Sequence, residues 1–391
     1  MKRIIMFCGL SFLISTDIIA QYEGNKNYEL FQDEFNFPGR TWDEDTYFES
    51  KGEWRAFFKG TGLTHGISEH QAYQRSQAVF DDTNEMMLLV ADYVSDINLS
   101  CDDLEIPAGA NCKIDDTYSI RYLSGALESI NKEFLYGYFE IRCKIPVHKG
   151  AFPAFWLWGQ CREENTNCED PHYEEIDIFE YTWEITKKEN NPDSQWFGDD
   201  RCYTLGMYYN ETGDIENLQQ NKVAKKRSRL SDDEPSMGEW NTFGCLWMPD
   251  KVEWYINDRL VNSYYNPDSI PHHELYLIAN YAIDNHVRTK ITERDYDYDM
   301  VNDTMYIDYI RAYQPIWHCG QDVLIETQFD LNNYEYGVKK SVTISSDDNE
   351  TPVYITANDN INIMASEYVV IDGPFEIADG AEFMIAIQKC P

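Results

Sequence analysis

Residues 173–181 read YEEIDIFEY, in which the acids Glu175, Asp177 and Glu180 alternate with large apolar side chains. This alternation predicts a half-buried β-strand. Side chains two residues apart share one face of a strand, so Glu175 and Asp177 point the same way, whereas Glu180 lies at an odd offset and points the opposite way. One β-bulge between Asp177 and Glu180 would bring Glu180 back to the acidic face. The run therefore predicts a bulged strand that carries three carboxylates on one face.

Carboxylates grouped in this way suit the hydrolysis of a glycosidic bond with retention of configuration. One carboxylate attacks the anomeric carbon, and a second, about 5–5.5 Å away, protonates the leaving oxygen. Two other interpretations stay open at this point, an acidic surface strand in a chain of formal net charge −37 and a Ca²⁺ site. Apolar neighbours on the other face disfavour the first, and the preference of Ca²⁺ for loop oxygens disfavours the second.

The composition fits a secreted protein with a neutral substrate. Residues 1–20 predict a signal peptide, because a basic start and an apolar stretch end at the small residue Ala20. No later segment is apolar enough to cross a membrane. With 69 acids against 32 bases, the charge argues against nucleic acid and other polyanions as ligands. The basic cluster at 222–229 is interpreted as a solvated loop, with contact to a sulfated sugar or an acidic neighbour as the alternative.

Ten cysteines also fit an oxidising compartment. Their positions around polar loops and in the tail predict three disulfides, which are Cys101–Cys112, Cys161–Cys168 and Cys319–Cys390. Three further cysteines lie in apolar, strand-like runs and are expected to be buried, namely Cys143, Cys202 and Cys245. The cysteine spacings match no zinc pattern. The eight histidines have no spacing that indicates a role and are expected in loops or at the surface.

The rest of the chain predicts an all-β protein. Short apolar runs with period two recur between Gly, Pro and Asn, and helical periodicity is almost absent. Many strands of this spacing indicate a sandwich or barrel, and residues 252–261 predict a hairpin that turns at Asn257-Asp258. Aromatic residues thin out after Trp317, which predicts a catalytic domain over 21–317 and a small accessory β domain of stacked short strands over 318–391.

The motif Glu175-Ile176-Asp177-Ile178-Phe179-Glu180 resembles the signature of glycoside hydrolase family 16 in its bulged form. Flanking motifs follow in the order found in that family and extend the resemblance over residues 28–314. They include Tyr136-Gly137-Tyr138-Phe139-Glu140, Phe152-Pro153-Ala154-Phe155-Trp156-Leu157-Trp158 and Tyr276-Leu277-Ile278-Ala279-Asn280.

The resemblance implies a β-jelly-roll of two stacked antiparallel sheets, with a concave cleft in which a polysaccharide is cut internally with retention. Carried over by position, Glu175 is the nucleophile, Glu180 the acid/base and Asp177 the assisting residue. A shared proton and a raised pKa are expected among these neighbouring acids. No cofactor is needed for catalysis, and the chain is expected to act as a monomer.

The resemblance also implies residues that bind the sugar. Phe152, Trp156, Trp183 and Asn280 are the candidates, since pyranose C–H groups pack on aromatic rings. Trp158, Trp247 and Trp254 are instead assigned to core packing.

Some members of the family carry a structural calcium, which the resemblance places at Asp308 and the Asp33-Glu34 pair. The alternatives for Asp308 are capping a turn and pairing with Arg311.

The substrate is the least determined part of the resemblance. Laminarin-type β-1,3-glucan is the leading candidate, because the bulged motif and the acidic charge suit a neutral glucan. The red-algal galactans agarose, porphyran and carrageenan follow, because Ala126 stands where glucanase-like members often have Arg. A glycan-binding jelly-roll without activity is the third alternative, although such proteins have lost the carboxylates that remain here.

Overall fold

The computed structural model of the protein describes residues 4–7, 22–44, 46–50, 52–56, 69–94, 99–106, 120–147, 150–161, 172–181, 200–210, 222–283, 303–346 and 352–391. Regular structure in these residues is almost entirely β-strand, as the sequence predicts. A single short α-helix, α1 (Gln328–Asn332), lies among them. None of the described helices has the length and apolarity that a membrane crossing requires.

The strands are numbered along the chain. Those up to residue 315 are β1 (Ile4–Phe7), β2 (Tyr28–Asp33), β3 (Gln71–Tyr73), β4 (Ala78–Asp81), β5 (Met86–Tyr93), β6 (Tyr122–Ser124), β7 (Ala126–Phe134), β8 (Gly137–Lys144), β9 (Ala151–Cys161), β10 (His172–Glu180), β11 (Cys202–Asn210), β12 (Lys222–Arg229), β13 (Asn241–Met248), β14 (Lys251–Ile256), β15 (Arg259–Tyr264), β16 (Leu275–Ile283) and β17 (Asp303–Pro315). The remaining strands are β18 (Trp317–Ile325), β19 (Val338–Ile344), β20 (Val353–Ile355), β21 (Asn360–Ile371), β22 (Phe375–Ile377) and β23 (Glu382–Ile387).

Two large sheets form a jelly-roll sandwich. The six-stranded sheet has the order β12-β11-β10-β9-β16-β7. The ten-stranded sheet has the order β15-β14-β13-β8-β17-β5-β6-β3, with β2 added to β17 and β4 added to β5. Apolar side chains of both sheets meet in one core, where the rings of Phe179 and Phe243 lie 4.2 Å apart between centroids. Burial of this face leaves the other face of the six-stranded sheet for polar side chains.

Local sequence signals explain several of these elements. The predicted hairpin is confirmed as β14 and β15, and its turn residues Asn257 and Asp258 have φ of +45° and +63°. Two consecutive positive φ values are what a two-residue type I′ turn requires, and Asn and Asp tolerate them better than most residues. Cys143, Cys202 and Cys245 are buried, as predicted.

The basic cluster at 222–229 is not the loop that its composition indicates. It forms β12, the edge strand of the six-stranded sheet, and pairs with β11 from Cys202 opposite Arg229 to Tyr208 opposite Lys222. Lysine and arginine are common on edge strands because their charge discourages pairing with another chain. The prediction failed because the run KVAKKRSR lacks the apolar alternation by which a strand is recognised.

The C-terminal part of the chain forms a small β module of its own. Its strands stack in parallel, β18 on β19, β19 on β21 and β21 on β23, with β20 and β22 as a second parallel pair. A separate apolar cluster fills it, including Ile325, Val342 and Ile363. This arrangement confirms the predicted stacking of short strands, whereas the exact domain limits stay a prediction. Residues Ile4–Phe7, within the predicted signal peptide, pair with the 368–371 part of β21.

The side chain of Asn27 connects this module to the sandwich. Asn27 is fully buried just before β2. Its Nδ2 donates to the carbonyl of Asn362 at 2.8 Å, and its Oδ1 accepts from the backbone N–H of Gly337 at 2.8 Å. Buried polar groups are costly when unpaired, so these bonds fix how the two parts meet.

One of the three predicted disulfides is fully described. Cys319 and Cys390 are bonded, with an S–S distance of 2.01 Å. Cys101 and Cys161 are also disulfide-bonded, and their predicted partners, Cys112 and Cys168, lie outside the described residues.

Replacing Cys319 with serine is expected to destabilise the C-terminal module. The bond closes a segment with a sequence separation of 71, and the loss of its constraint on the unfolded chain costs about 4 kcal/mol. Urea unfolding without reductant measures the loss. Cys390→Ser should cost the same, and the double variant should cost no more than either single one. Losses that add in the double variant would show that the two cysteines act independently.

Candidate active site

The predicted bulge in β10 is confirmed by its pairing with both neighbouring strands. On β11, Asp177 lies opposite Gly206 and Glu180 opposite Thr204, so three steps on β10 match two on its partner. On β9, Asp177 lies opposite Trp156 and Phe179 opposite Phe155, so two residues along β10 match one residue along β9. The extra residue returns Glu180 to the face that carries Glu175 and Asp177.

The bulge is held from the core side. Ile178 and Phe179 are consecutive, yet both are buried in the main core, which a regular strand does not allow. Trp254 of the opposite sheet donates its Nε1–H to the carbonyl oxygen of Asp177 at 2.9 Å. Tyr181 then resumes backbone bonding, with its N–H donating to Pro153 at 3.0 Å. Trp254 was expected only to pack in the core, and it also fixes the backbone of the acidic strand.

Glu175 and Asp177 interact directly. The hydroxyl of Tyr173 donates to Glu175 Oε2 at 2.5 Å. Asp177 is 2% exposed, and its carboxyl group hydrogen-bonds that of Glu175. Burial, followed by the charges of Glu180 and Glu175, raises the pKa of Asp177 well above its ordinary value. The protonated form of Asp177 is therefore favoured, and the sequence predicts a raised pKa of this kind among the three acids.

Glu180 has polar partners on the neighbouring strands. Thr204 donates its hydroxyl to Glu180 Oε2 at 3.1 Å, and Lys225 Nζ lies 3.5 Å from the same oxygen. Desolvation opposes the charge of Lys225, but Glu180, Asp177 and Glu175 together raise its pKa above the ordinary value. The ammonium group thus faces the whole carboxylate trio.

Backbone geometry places Lys225 in this position. The pairing of β11 with β12 shifts between Leu205 and Met207. Within the resulting irregularity, Ala224 has a left-handed φ of +56°, which a residue with a Cβ rarely adopts. Gly206 permits the close approach, since a Cβ there would lie 2.8 Å from the Lys225 Cα.

Aromatic side chains line the acidic face beside the trio. Trp156 lies directly opposite Asp177 and Trp158 opposite Glu175 in the β9–β10 register. Both tryptophans belong to a cluster with Tyr173 and Tyr276 that is separate from the main core. Trp158 is buried, as predicted, but it packs on the acidic face rather than in the main core. Trp247 and Trp254 lie in the main core, as predicted.

Trp156 is fixed by a chain of hydrogen bonds. Its Nε1–H donates to Asn280 Oδ1 at 2.8 Å, and Asn280 Nδ2 donates to the Tyr73 hydroxyl at 2.9 Å. Trp156 and Asn280 are only 6% and 5% exposed. Both residues therefore form the floor of the acidic face and orient one another.

The other predicted sugar-binding residues differ in what the structure shows. Phe152 is half-buried and lies opposite Ala282 in the register, two positions before Ala154 and on the face of Trp156. Trp183 lies outside the described residues. Sequence reasoning missed Tyr173, Thr204 and Lys225 as contacts of the acids. Only Tyr173 had a sequence signal, because it lies two residues before Glu175 and so on the same face of the strand.

The carboxylates that the resemblance assigns to calcium are paired with guanidinium groups. Asp33 is paired with Arg40 at 2.6 Å, Glu34 with Arg311 at 2.7 Å, and Asp308 with Arg142 rather than with Arg311. Arg40 also bonds Glu49. Among the described residues, Asp308 does not converge with two other metal-binding side chains. Asp33 also converges with Glu49 and Glu53, whose ligand atoms lie within 4.8 Å of one another. A structural calcium therefore stays an expectation of the resemblance, and the proposed hydrolysis does not use it.

The sequence matches the family described as Glycosyl hydrolases family 16 over residues 72–310. The chain belongs to this family. The endo-1,3-1,4-beta-glycanase ExsH of Rhizobium meliloti is 26% identical over 194 residues, which are 49% of this chain and 33% of that protein. The keratan-sulfate endo-1,4-beta-galactosidase of Sphingobacterium multivorum is 23% identical over 212 residues, 51% of this chain and 42% of that protein. The chain thus matches less than half the length of either relative.

Solved structures share the fold of this family 16 chain. The laminarinase catalytic domain from Thermotoga maritima has a TM-score of 0.50 and 21% identity, covering 74% of this chain and 100% of that one. The endo-beta-1,3-glucanase from Pyrococcus furiosus has a TM-score of 0.50 and 20% identity, covering 74% of this chain and 95% of that one. At such identities the likeness shows the jelly-roll fold alone.

Replacing Asn280 with alanine is expected to lower the free energy of unfolding by about 2–4 kcal/mol, because the Trp156 N–H and the Tyr73 hydroxyl both lose a buried partner. Thermal and urea unfolding measure the loss. Asn266→Ala is the matched control, since its amide makes an exposed contact of 3.5 Å with Ser269 and should cost less than about 0.5 kcal/mol. Equal effects of the two substitutions would contradict a structural role for Asn280.

Proposed function

We propose that the protein is an endo-acting retaining glycoside hydrolase that cleaves a β-linked polysaccharide on the acidic face of the six-stranded sheet. The bulge in β10 carries the proposal, because it brings Glu180 to the face of Glu175. Membership of family 16 supports it. A surface strand with no function has no need of a bulge that buries Ile178 and Phe179 together.

The geometry suits a double displacement. Glu175 attacks the anomeric carbon while Glu180 donates a proton to the glycosidic oxygen, which breaks the bond to the leaving sugar and forms a glycosyl ester on Glu175. Glu180 then removes a proton from water, which attacks the same carbon and releases Glu175. Asp177, kept protonated by its surroundings, donates a hydrogen bond that orients the Glu175 carboxylate.

Laminarin-type β-1,3-glucan is the proposed substrate. A net charge of −37 disfavours an anionic polymer, and the aromatic floor around Trp156 and Trp158 suits the C–H faces of neutral pyranose units. Two relatives, named an endo-1,3-1,4-beta-glycanase and a glucan endo-1,3-beta-glucosidase, support this choice.

A sulfated galactan is the second candidate, and one feature of β12 favours it. Arg227 is exposed and lies opposite Thr204, whose hydroxyl contacts Glu180. Paired residues point to the same side of a sheet, so Arg227 lies on the acidic face. A guanidinium binds sulfate oxygens well. One relative, similar over half of this chain, is named a keratan-sulfate endo-1,4-beta-galactosidase.

A panel of polysaccharides with product sizing decides between these candidates. Laminarin, mixed-linkage glucan, agarose, porphyran, carrageenan and keratan sulfate are each incubated with the protein. Oligomers of several lengths from laminarin would support the leading proposal, and cleavage of only sulfated polymers would support the second. Tight binding of one polymer without cleavage of any would favour a glycan-binding module instead.

Replacing Glu175 or Glu180 with glutamine is expected to lower kcat by at least about 10²–10⁴-fold, because glutamine keeps the shape but removes the nucleophile or the proton donor. Initial rates on the polymer that the panel identifies measure the effect. Glu376→Gln, which changes an exposed acid of the C-terminal module, is the control and should leave the rate unchanged. Rates within a few-fold of wild type in either active-site variant would refute the roles given to the two acids.

Replacing Lys225 with methionine is expected to move the alkaline limb of the kcat/KM profile to higher pH. Lys225 lowers the pKa of Asp177, against the larger effects of burial and of the charges of Glu180 and Glu175. Without the cation, the pKa of Asp177 rises further, so Asp177 keeps its proton to higher pH.

Lys226→Met is the matched control for this pH profile. The Lys226 ammonium is the neighbouring charge in the sequence, but it donates to the carbonyl of Val261. This control should leave the profile unchanged. If the alkaline limb of the kcat/KM profile stays at the same pH or moves to lower pH in Lys225→Met, the role given to Lys225 is wrong.

We also propose that the protein is secreted and acts as a monomer. The signal-peptide pattern of residues 1–20 supports secretion. So do the disulfide bonds of Cys101, Cys161 and Cys319, since such bonds persist in oxidising compartments.

A further inference from the structure

Two histidines without a sequence signal contact one buried carboxylate, and a third histidine stacks on one of them. Glu174 is 0% exposed and points away from the acidic face, because it is one residue from Glu175 on the strand. Its Oε1 lies 3.0 Å from Nδ1 of His273 and 3.5 Å from Nδ1 of His272. The ring of His172 stacks on that of His273, with 3.8 Å between centroids. His272 and His273 lie in the loop before β16, as the sequence predicts, whereas His172 lies at the start of β10.

We propose that Glu174, His272 and His273 form a binding site for a divalent transition metal of the zinc class. One ligand atom from each residue lies within 4.8 Å of the other two. Zinc binds imidazole nitrogen and carboxylate oxygen at about 2.0–2.2 Å, so neighbouring ligand atoms in a tetrahedral site lie about 3.3–3.5 Å apart. The separations of 3.0 and 3.5 Å from Glu174 Oε1 to the two Nδ1 atoms are close to that spacing.

Backbone contacts of Glu174 orient the site. The N–H groups of His272 and His273 donate to Oε2 at 3.1 and 2.9 Å, which turns Oε1 toward both imidazoles. Contacts of this kind position metal ligands and strengthen their binding. A carboxylate that only capped this turn would need no imidazole beyond these N–H groups.

The position of His272 is a second observation that favours a ligand. Its side chain is 49% exposed, yet its Nδ1 points to a buried oxygen rather than to water. The same exposure gives an ion access from solvent. Imidazole ligands select zinc-class ions over Ca²⁺ and Mg²⁺. A bound ion would take the place of the hydrogen bond between His273 Nδ1 and Glu174 Oε1.

Calorimetric titration with Zn²⁺ alone tests the site, using the full chain purified without a histidine tag and treated with a chelator. The expected result is saturable binding of one Zn²⁺ per chain. His272→Ala and His273→Ala should each weaken it at least about tenfold. His318→Ala is the matched control, because His318 lies 3.8 Å from Glu335 in a pair with one imidazole, and it should bind as wild type does.

A second measurement does not depend on variants that fold. Co²⁺ bound to the wild-type protein should give the intense visible absorption of a tetrahedral site, which excess Zn²⁺ removes. Three results would each overturn the proposal. They are the lack of saturable Zn²⁺ binding by the wild type, wild-type Zn²⁺ affinity in the His272→Ala and His273→Ala variants, and the lack of a tetrahedral Co²⁺ spectrum. Neither measurement uses polysaccharide, so the outcome is independent of the proposed hydrolysis.

Discussion

The active-site arrangement depends on one extra residue in β10 between Asp177 and Glu180. Side chains alternate between the two faces of a regular strand, so Glu180, three residues after Asp177, would point into the core. The extra residue of the bulge returns Glu180 to the face of Asp177. Its stability comes from the opposite side of the strand, where Ile178 and Phe179 are both buried and Trp254 binds the Asp177 carbonyl. Packing between the two sheets thus positions a carboxylate on the outer face. A change to the core beneath β10 is a change to the active site.

The same arrangement sets the electrostatics. Three acids on one face repel one another, and burial adds to the cost of ionising Asp177, so its pKa rises. Lys225 offsets part of this repulsion from the edge strand β12, at 3.5 Å from Glu180. It reaches the trio only because Gly206 has no side chain and Ala224 adopts a left-handed backbone conformation. Lys225 thus lowers the pKa of Asp177, while the carboxylates raise the pKa of Lys225.

Sequence alone predicts those features that are local. Side-chain alternation over a few residues predicts the acidic face of β10 and its bulge. The turn preferences of Asn257 and Asp258 predict the hairpin. Lys225 could not be placed, because the run KVAKKRSR has no alternation and becomes a strand only by pairing with β11. Contacts between distant segments were also missed. Glu174 meets histidines 98 and 99 residues further along the chain, and Asp308 pairs with Arg142 rather than with Arg311, three residues away.

The central claim is that Glu175 and Glu180, brought to one face by the bulge, carry out a double displacement. Proton NMR of the sugar anomer first released from the cleaved polysaccharide tests this claim most directly. Two displacements at the same carbon restore its configuration, so the β-anomer should form first and convert slowly to the equilibrium mixture. Initial release of the α-anomer would mean a single displacement by water and would contradict the role of Glu175 as the nucleophile.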